Sequence, residues 1–427
     1  MHTATAGPLR AADLAAATPD HRYRYADLLR AVSIGVVVIG HWLLAVVTTT
    51  DGALTGENAL ALSPGLHRLT WLLQVMPLFF LVGGYANAAS LERGAADYGA
   101  WLRSRVSRLV YPTLWFAGAW SVLAAALSLT DMPGTSLALA AQLVAVPLWF
   151  LAVYLVVVAL APIALAAHRR FGLAAPVALA VGVLVVDVLR LGFDLPLVGW
   201  LNFPLVWLLP HQLGVAWRAG DLDLPRLPAV LAVGGLVAVG VLTTFGPYPV
   251  SMVGVPGAEL SNNAPPSLAL AALTVWHTGL ALVLRRPAER WLQRPRVWTV
   301  VVAASGVAMT VFLWHLTAMV LFAGLALPAG YPQPEHGTLA YWLLRPVWIA
   351  ALLVTLAPIV ALLARVERPR RSSGERSTPS ARVVVGVVAA AAGMALLATH
   401  GFRTADLLGV PWPALTLVAG GWYLSRA

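Results

Sequence analysis

Two ionisable side chains interrupt one apolar stretch near the start of the chain. His41 lies within VVVIGHWLLAVV, and Arg30 precedes it by eleven residues. In an α-helix that spacing amounts to three turns plus ~20°, so both side chains project from one face, about 16 Å apart along the axis. Asp27, one turn before Arg30, can pair with it. Ionisable groups at membrane depth are costly, so this polar stripe predicts a functional site.

A second basic pair, Arg105 and Arg108, occurs in WLRSRVSRLVYP. Residues three apart on a helix project from the same side. The planar guanidinium fork suits phosphate groups, so the pair is a candidate anion site. The alternative is that both arginines are stop-transfer charges at a helix end, and the spacing alone does not separate these interpretations.

Three further histidines lie in apolar stretches. A lone histidine in a helical bundle is more often a packing residue than a reactive one, which is our interpretation of His211 and His277. His315, in FLWHLTAM, lies beside Trp314 at a depth similar to that of His41. We therefore expect His315 to belong to the same site as His41.

Two pairs of residues have simpler explanations. Trp149 and Phe150 follow Pro147, where aromatic side chains more often serve packing or interface anchoring than substrate contact. Asp187 and Arg190 are three residues apart at the predicted outer end of a helix, which predicts a local ion pair.

The composition places these residues in a membrane protein. Of the 427 residues, 59% are hydrophobic and 11% are charged, and the mean hydropathy is +0.79. Soluble domains average about 25% charged residues. The chain is therefore predicted to be all-α, a polytopic transmembrane helical bundle of about 10–11 spans. The predicted spans cover residues 26–47, 67–90, 106–129, 147–167, 172–192, 198–218, 227–246, 266–284, 297–326, 339–364 and 383–400.

The arginines predict the orientation of these spans. Every basic residue is arginine, as expected from the codon bias of a high-GC bacterium, and 23 of the 28 fall in gaps on one side. Cytoplasmic loops carry such an excess, so the N-terminus is predicted to be cytoplasmic. We expect a multi-pass protein of the cell (plasma or inner) membrane, surrounded by membrane lipids, and homo-oligomerisation stays open.

Composition shifts divide the chain into four parts. Residues 1–21 are predicted to be a flexible cytoplasmic segment, 22–365 the main transmembrane domain, 366–382 a cytoplasmic linker, and 383–427 a C-terminal transmembrane helix with a tail. Pro147 should break the overlong stretch 136–167 into a short or re-entrant segment and a true span. Residues 407–424 contain two prolines and should form a half-span or lie in the membrane interface.

Several classes of function are disfavoured. The net charge of +10 comes from short gaps between apolar runs, so it does not indicate a nucleic-acid partner. The absence of cysteine excludes a disulfide, a thiolate metal site and a cysteine nucleophile. The chain carries no Walker A, HExxH or GxSxG pattern, which argues against an ATP-driven pump and a zinc protease. No metal cofactor is expected.

The sequence RYADLLRAVSIGVVVIGHW resembles the opening helix of the acyltransferase 3 family, integral membrane enzymes that transfer acyl groups to extracytoplasmic acceptors. The family pattern of arginine, ten residues and histidine is matched by Arg30 and His41. Three further elements are similar, and the resemblance spans about residues 22–365. These elements are Arg-x-x-Arg at Arg105 and Arg108, Trp-Phe-Leu at Trp149 and Phe150, and Leu-Trp-His at Trp314 and His315.

The resemblance implies an O-acyltransferase whose donor is a cytoplasmic acyl-CoA or acetyl-CoA. Arg30, Arg105 and Arg108 would hold the donor phosphates, Trp149 would contact the donor, and the pantetheine arm would run towards His41. His41 would act as general base on a hydroxyl of a carbohydrate, lipid or metabolite acceptor, with His315 as a second catalytic residue. Glu259, in an outer loop, is a further candidate contact for the acceptor.

Two other functions remain open. The stripe of Arg30 and His41 could serve an ion or proton pathway in a transporter or flippase for a lipid-linked or anionic substrate. The lack of internal repeats disfavours this reading, because many transporters are built from repeats. An enzyme acting on isoprenoid lipids is disfavoured because no Asp-rich metal motif occurs.

Overall fold

The computed structural model describes an almost entirely helical chain with one short β-hairpin. It covers residues 11–19, 22–50, 53–94, 97–130, 133–367, 380–403 and 409–426. The elements are α1 Ala11–Ala16, α2 Arg24–Leu44, β1 Ala45–Thr50, β2 Ala53–Asn58, α3 Ala59–Leu62, α4 Leu69–Leu73, α5 Met76–Glu92, α6 Tyr98–Leu127, α7 Gly134–Ala145, α8 Leu148–Ala159, α9 Ala161–Phe171, α10 Ala174–Asp187, α11 Asn202–Ala219, α12 Leu227–Phe245, α13 Leu268–Leu292, α14 Pro295–Ala326, α15 Leu339–Val366, α16 Ser380–His400 and α17 Trp412–Arg426.

Within the described residues, ten helices are long and apolar enough to cross a membrane. This confirms the predicted polytopic bundle of about 10–11 spans. Several spans differ from the prediction in detail. The break at Pro147 is present, but α7 and α8 together make one candidate span, Gly134–Ala159, instead of a span at 147–167. The predicted span 198–218 forms α11, which is not among the ten because polar residues such as His211 and Gln212 lower its hydropathy.

The first candidate membrane-spanning helix, α2, ends three residues earlier than predicted and leads directly into the hairpin. The apolar stretch continues to Val47, but α2 ends at Leu44 and β1 begins at Ala45. Strands β1 and β2 pair antiparallel over six residues each. The β-branched run VVTTT favours a strand over a helix. The predicted outer end of α2 is therefore followed immediately by a two-stranded cap.

Helix α6 begins eight residues before its predicted start at residue 106. The side chain of Asp97 accepts hydrogen bonds from the backbone N–H groups of Gly99 and Ala100, so it caps the helix at Tyr98. Arg105 and Arg108 thus lie inside a continuous helix rather than in front of one. Their positions are fixed by regular helical geometry.

Helices α5 and α11 cross with their backbones in contact. A Cβ atom at Gly84 would overlap the carbonyl of His211, and one at Gly214 would overlap the carbonyl of Leu81. Small residues permit such close approach between membrane helices, where packing replaces the hydrophobic driving force. This contact fixes α5, whose first turn lies at the site described below.

Helices α16 and α17 pack against the outside of α6, α7 and α8. Phe402, just beyond α16, stacks on Trp120 of α6 and meets Phe116 edge to face, and its backbone N–H donates to the carbonyl of Ala141. The tail predicted as a half-span or interfacial segment thus ends in a helix, α17, packed on α16. Most of the predicted linker 366–382 and of the N-terminal segment 1–21 lies outside the described residues.

Candidate active site

Three arginines from two helices line one cavity at the predicted cytoplasmic side. Arg30 of α2 and Arg105 and Arg108 of α6 face a cavity of about 240 Å³. Arg30 keeps the predicted contact with Asp27, at 3.3 Å, and Asp27 also binds Arg22, at 2.7 Å. The structure therefore brings the two basic motifs of the sequence to one cavity. We call this space the inner cavity.

The remaining wall of the inner cavity is mostly apolar, with few polar groups. Tyr154 of α8 and Asn87 of α5 contribute polar side chains, and Asn87 Nδ2 lies 3.3 Å from His211 Nε2. The guanidinium of Arg105 also lies over the ring of Trp101, with 5.6 Å between Cζ and the ring centroid. A cluster of cations at one end of an apolar pocket suits an anionic group attached to an uncharged arm.

A second cavity, of about 340 Å³, contains His41 and opens toward the predicted outer side. Its wall is mostly apolar. Polar side chains come from Asn58 at the end of β2, Gln74 after α4, and Asn263 of the loop before α13. Gln74 Nε2 lies 3.4 Å from Asn263 Oδ1. We call this space the outer cavity.

The imidazole of His41 is hydrogen-bonded to a second imidazole. His41 Nδ1 lies 2.8 Å from His315 Nε2, and the two ring planes are nearly parallel, with 8° between them and 5.1 Å between centroids. His315 comes from α14, 274 residues away in sequence. The structure therefore brings the two predicted histidines into direct contact. The sequence had not identified which group orients His41.

The hydrogen bonds of this pair determine which nitrogens carry hydrogen. His315 Nδ1 lies 2.7 Å from the carbonyl oxygen of Phe312, and a carbonyl only accepts. His315 Nδ1 must therefore donate, so its Nε2 accepts from His41 Nδ1. The lone pair of His41 is then on Nε2, which has no hydrogen-bond partner among the described residues. His315 thus holds His41 in the tautomer that a general base requires.

The backbone around His315 is held by tryptophans. Trp42 Nε1 donates to the His315 carbonyl at 3.0 Å, and Trp348 Nε1 donates to the Trp42 carbonyl at 3.3 Å. Beside His315, Trp314 Nε1 donates to a carboxylate oxygen of Glu367 at 2.6 Å. The other oxygen of Glu367 accepts from Thr310 at 2.6 Å. Sequence reasoning placed Glu367 in a linker and gave it no role, because nothing local in the sequence connects it to α14.

The inner and outer cavities meet at four apolar side chains. Val37, Met76, Phe150 and Phe312 line both cavities. The rings of Phe150 and Phe312 contact each other edge to face, with 5.5 Å between centroids. We call these four residues the constriction. It lies between the three arginines on one side and His41 on the other.

Other predicted residues occupy different surroundings. Trp149 lines the outer cavity, not the inner one, and packs 5.6 Å from the ring of Trp207. Asp187 was wrongly expected to pair with Arg190. Its carboxylate instead accepts from Asn202 and Tyr248, at 2.8 and 2.9 Å, because the start of α11 and the loop after α12 bring these donors to the helix end.

The remaining candidates have structural partners or lie apart from the site. His277 Nε2 lies 2.9 Å from the carbonyl oxygen of Trp71, and His211 contacts Asn87, as expected of packing residues. Glu259 is exposed and does not line the outer cavity. Within the part of the chain that the structure describes, no three His, Asp or Glu side chains cluster as metal ligands would.

Comparison with known proteins gives one match. The profile of the acyltransferase 3 family, described as an acyltransferase domain, matches residues 23–364, which is most of the chain. No curated protein and no solved structure gives a match. The matched range contains both cavities, the paired histidines and the three arginines, and it ends before α16. With ten candidate membrane spans and this match, the chain belongs to the acyltransferase 3 family and is a membrane acyltransferase.

Proposed function

We propose that the protein transfers an acyl group from a cytoplasmic acyl-CoA to a hydroxyl group on an extracytoplasmic or membrane-associated acceptor. The observation that carries this proposal is the pair of cavities, one with three arginines and one with a hydrogen-bonded histidine pair, that meet at the constriction. The rise of an α-helix separates Arg30 and His41 by about 16 Å along α2. An extended pantetheine arm can cover such a distance while its phosphates stay with the arginines.

Each cavity suits one part of the donor. Arg30, Arg105 and Arg108 would bind the donor phosphates. The negatively charged phosphate oxygens match the planar guanidinium group, which can donate two parallel hydrogen bonds. The apolar wall beyond them would accept the uncharged arm. The thioester would then lie at His41, and the acceptor would come from the outer cavity.

The proposed chemistry uses His41 Nε2 twice. Nε2 removes the proton of the acceptor hydroxyl as its oxygen attacks the thioester carbonyl, and the new C–O bond gives a tetrahedral intermediate. The C–S bond then breaks, and Nε2 returns the proton to the departing sulfur. The products are an ester and CoA with a free thiol. His315 stabilises the intermediate imidazolium by accepting from Nδ1 throughout.

The experiment uses inverted membrane vesicles, whose cytoplasmic face is outward, and acetyl-CoA labelled in its acetyl group as the probe. Vesicles containing the protein should incorporate label into lipid or carbohydrate, because the donor site faces the added probe. His41→Ala should abolish incorporation, and His400→Ala, at the exposed end of α16, should leave it unchanged. Equal incorporation by the His41→Ala variant would show that His41 is not the base.

A further inference from the structure

The order of the cavities determines which part of a donor must cross the constriction. If the phosphates remain with the arginines and the thioester reaches His41, the acyl tail lies beyond His41 in the outer cavity. The tail must therefore pass Val37, Met76, Phe150 and Phe312 before any reaction can occur. The residues of the constriction meet every acyl group that the site uses.

Two members of the constriction, Phe150 and Met76, differ in how their side chains are held. Phe150 contacts the rings of Phe79, Phe80, Tyr154 and Phe312 at 5.0 to 5.7 Å between centroids, so its ring is held on several sides. Such interlocked rings do not move independently.

Met76 is the adaptable member. Its unbranched side chain has three rotatable bonds and adjusts to irregular spaces. It is also the first residue of α5, directly after the break at Gln74 and Val75 that separates α4 from α5. The constriction can therefore widen mainly through Met76, and only by a small amount.

The outer cavity beyond the constriction has an aliphatic wall. Asn58, Gln74 and Asn263 are its polar side chains apart from His41 and Thr70. Leucine side chains supply much of the remaining surface. They are Leu43, Leu44, Leu60, Leu66, Leu69 and Leu73. A wall of this kind favours an aliphatic chain over a polar or charged one, because apolar surface is removed from water on both sides.

We infer that the constriction selects straight-chain aliphatic acyl groups and rejects groups branched near the carbonyl, with Met76 as the residue that sets the permitted width. This inference rests on the proposed function, because it concerns the same donor. A straight chain can pass one carbon at a time through a small opening, whereas a branched group presents its full width at once.

The test exploits the absence of cysteine from the natural chain. Two single-cysteine variants report on the two cavities: Ala308→Cys in the inner cavity and Leu44→Cys in the outer cavity, three residues after His41. The rate of maleimide labelling is measured on purified protein in detergent. The probes are S-butyl-CoA and S-tert-butyl-CoA, which have equal carbon counts, different widths and no reactive carbonyl.

Both probes should slow labelling of Ala308→Cys, and only S-butyl-CoA should slow labelling of Leu44→Cys. At a concentration of about ten times Kd, mass action gives about tenfold protection. Adding Met76→Ala should extend the protection of Leu44→Cys to S-tert-butyl-CoA. Met394→Ala is the matched control, because it makes the same change at a buried position of α16 that lines neither cavity, and it should leave the pattern unchanged.

The outcomes separate the inference from the proposed function. If neither probe protects Ala308→Cys, the inner cavity is not a donor site, and both the proposed function and the inference fail. If both probes protect Ala308→Cys but act alike on Leu44→Cys, the donor site stands and the selection by width is overturned. An unchanged pattern in the Met76→Ala background overturns the assignment to Met76.

Discussion

At the scale of single residues, the two imidazoles form a directed chain of hydrogen bonds. The Phe312 carbonyl fixes the hydrogen on His315, and His315 fixes the hydrogen on His41. If the direction of this chain were reversed, the lone pair of His315 Nδ1 would face the carbonyl oxygen of Phe312, and no hydrogen bond could form between them. Many hydrolases orient a basic histidine with a carboxylate. A neutral imidazole does so here without adding a charge at membrane depth, where a charge is costly.

Removing the partner of His41 should therefore lower kcat more than it changes donor KM. We expect His315→Ala to reduce kcat by about 100-fold or more, as loss of an orienting partner does elsewhere. His315→Gln offers a carbonyl oxygen that can accept from His41 Nδ1, so it should recover part of the loss. Steady-state kinetics of CoA release measure both effects. An increase in donor KM with unchanged kcat would instead indicate that His315 acts in donor binding.

The arginines of the inner cavity should affect binding rather than the chemical steps. Arg105→Gln removes one charge-assisted contact, typically about 1.5–3 kcal/mol, so donor KM should rise by about 10- to 100-fold with kcat nearly unchanged. Arg169→Gln is the control, because Arg169 is exposed on the same predicted side and lines neither cavity. A KM for acyl-CoA that stays constant in Arg105→Gln would remove this residue from the donor site.

At the scale of elements, the crossing of α5 and α11 holds the first turn of α5 at the constriction. Gly84→Ala would drive a methyl group into the backbone of α11, which should destabilise the protein by about 1–3 kcal/mol. Gly118→Ala places the same methyl group in open space on α6 and should be neutral or slightly stabilising. Thermal unfolding in detergent compares the two variants. Equal midpoints would show that the crossing tolerates a side chain.

Glu367 connects the end of α15 to the middle of α14. Its substitution by alanine leaves the indole N–H of Trp314 without an acceptor, and an unsatisfied buried donor costs about 1–3 kcal/mol. Glu367→Gln keeps one acceptor oxygen and should lose less. Because Trp314 adjoins His315, we expect Glu367→Ala to lower both the unfolding midpoint and kcat. Loss of stability with unchanged kcat would confine Glu367 to a structural role.

The elements were predictable where composition alone decides them. Long apolar runs gave the approximate number of spans. Unpaired backbone N–H and C=O groups are costly in lipid, and a helix pairs them within a single segment. Boundaries were less predictable. The start of α6 depends on the cap by Asp97, and the end of α2 depends on the β-branched run from Val46. Both effects are local, and both are small beside the hydropathy signal that located the spans.

Several residues of the candidate site could be named from the sequence, but the contacts between them could not. Arg30 and His41 share a helix, so their common face followed from helical geometry. The bond between His41 and His315 joins residues 274 positions apart, and only the packed bundle brings them together. The same holds for Glu367 and for the constriction, where Met76, Phe150 and Phe312 come from three separate helices. Such contacts depend on the packing of the whole bundle, which no local pattern specifies.

At the scale of the whole molecule, the C-terminal helices lie outside the range that matches the family. Helix α16 packs on α17 and on α8, which carries Phe150, and Phe402 packs on α6, which carries Arg105. These helices therefore support the same elements that form the inner cavity. A chain shortened to residues 1–379, which keeps Glu367, should show a lower unfolding midpoint and a higher donor KM, both measurable in detergent. Unchanged values would show that α16 and α17 are dispensable for the site.

The constriction also separates two substrates whose exchange is electroneutral. Under the proposed chemistry, the acyl group replaces the proton on the acceptor oxygen, and that proton replaces the acyl group on the sulfur of CoA. The charge on each side of the membrane is therefore unchanged by a turnover, although a single net charge crossing would be worth about 2.3 kcal/mol per 100 mV of membrane potential. In proteoliposomes with a potential set by valinomycin and potassium, the rate of CoA release should not depend on voltage. A rate that changes with voltage would mean that the acceptor proton is released to the outer side and that the thiolate takes its proton from the cytoplasm.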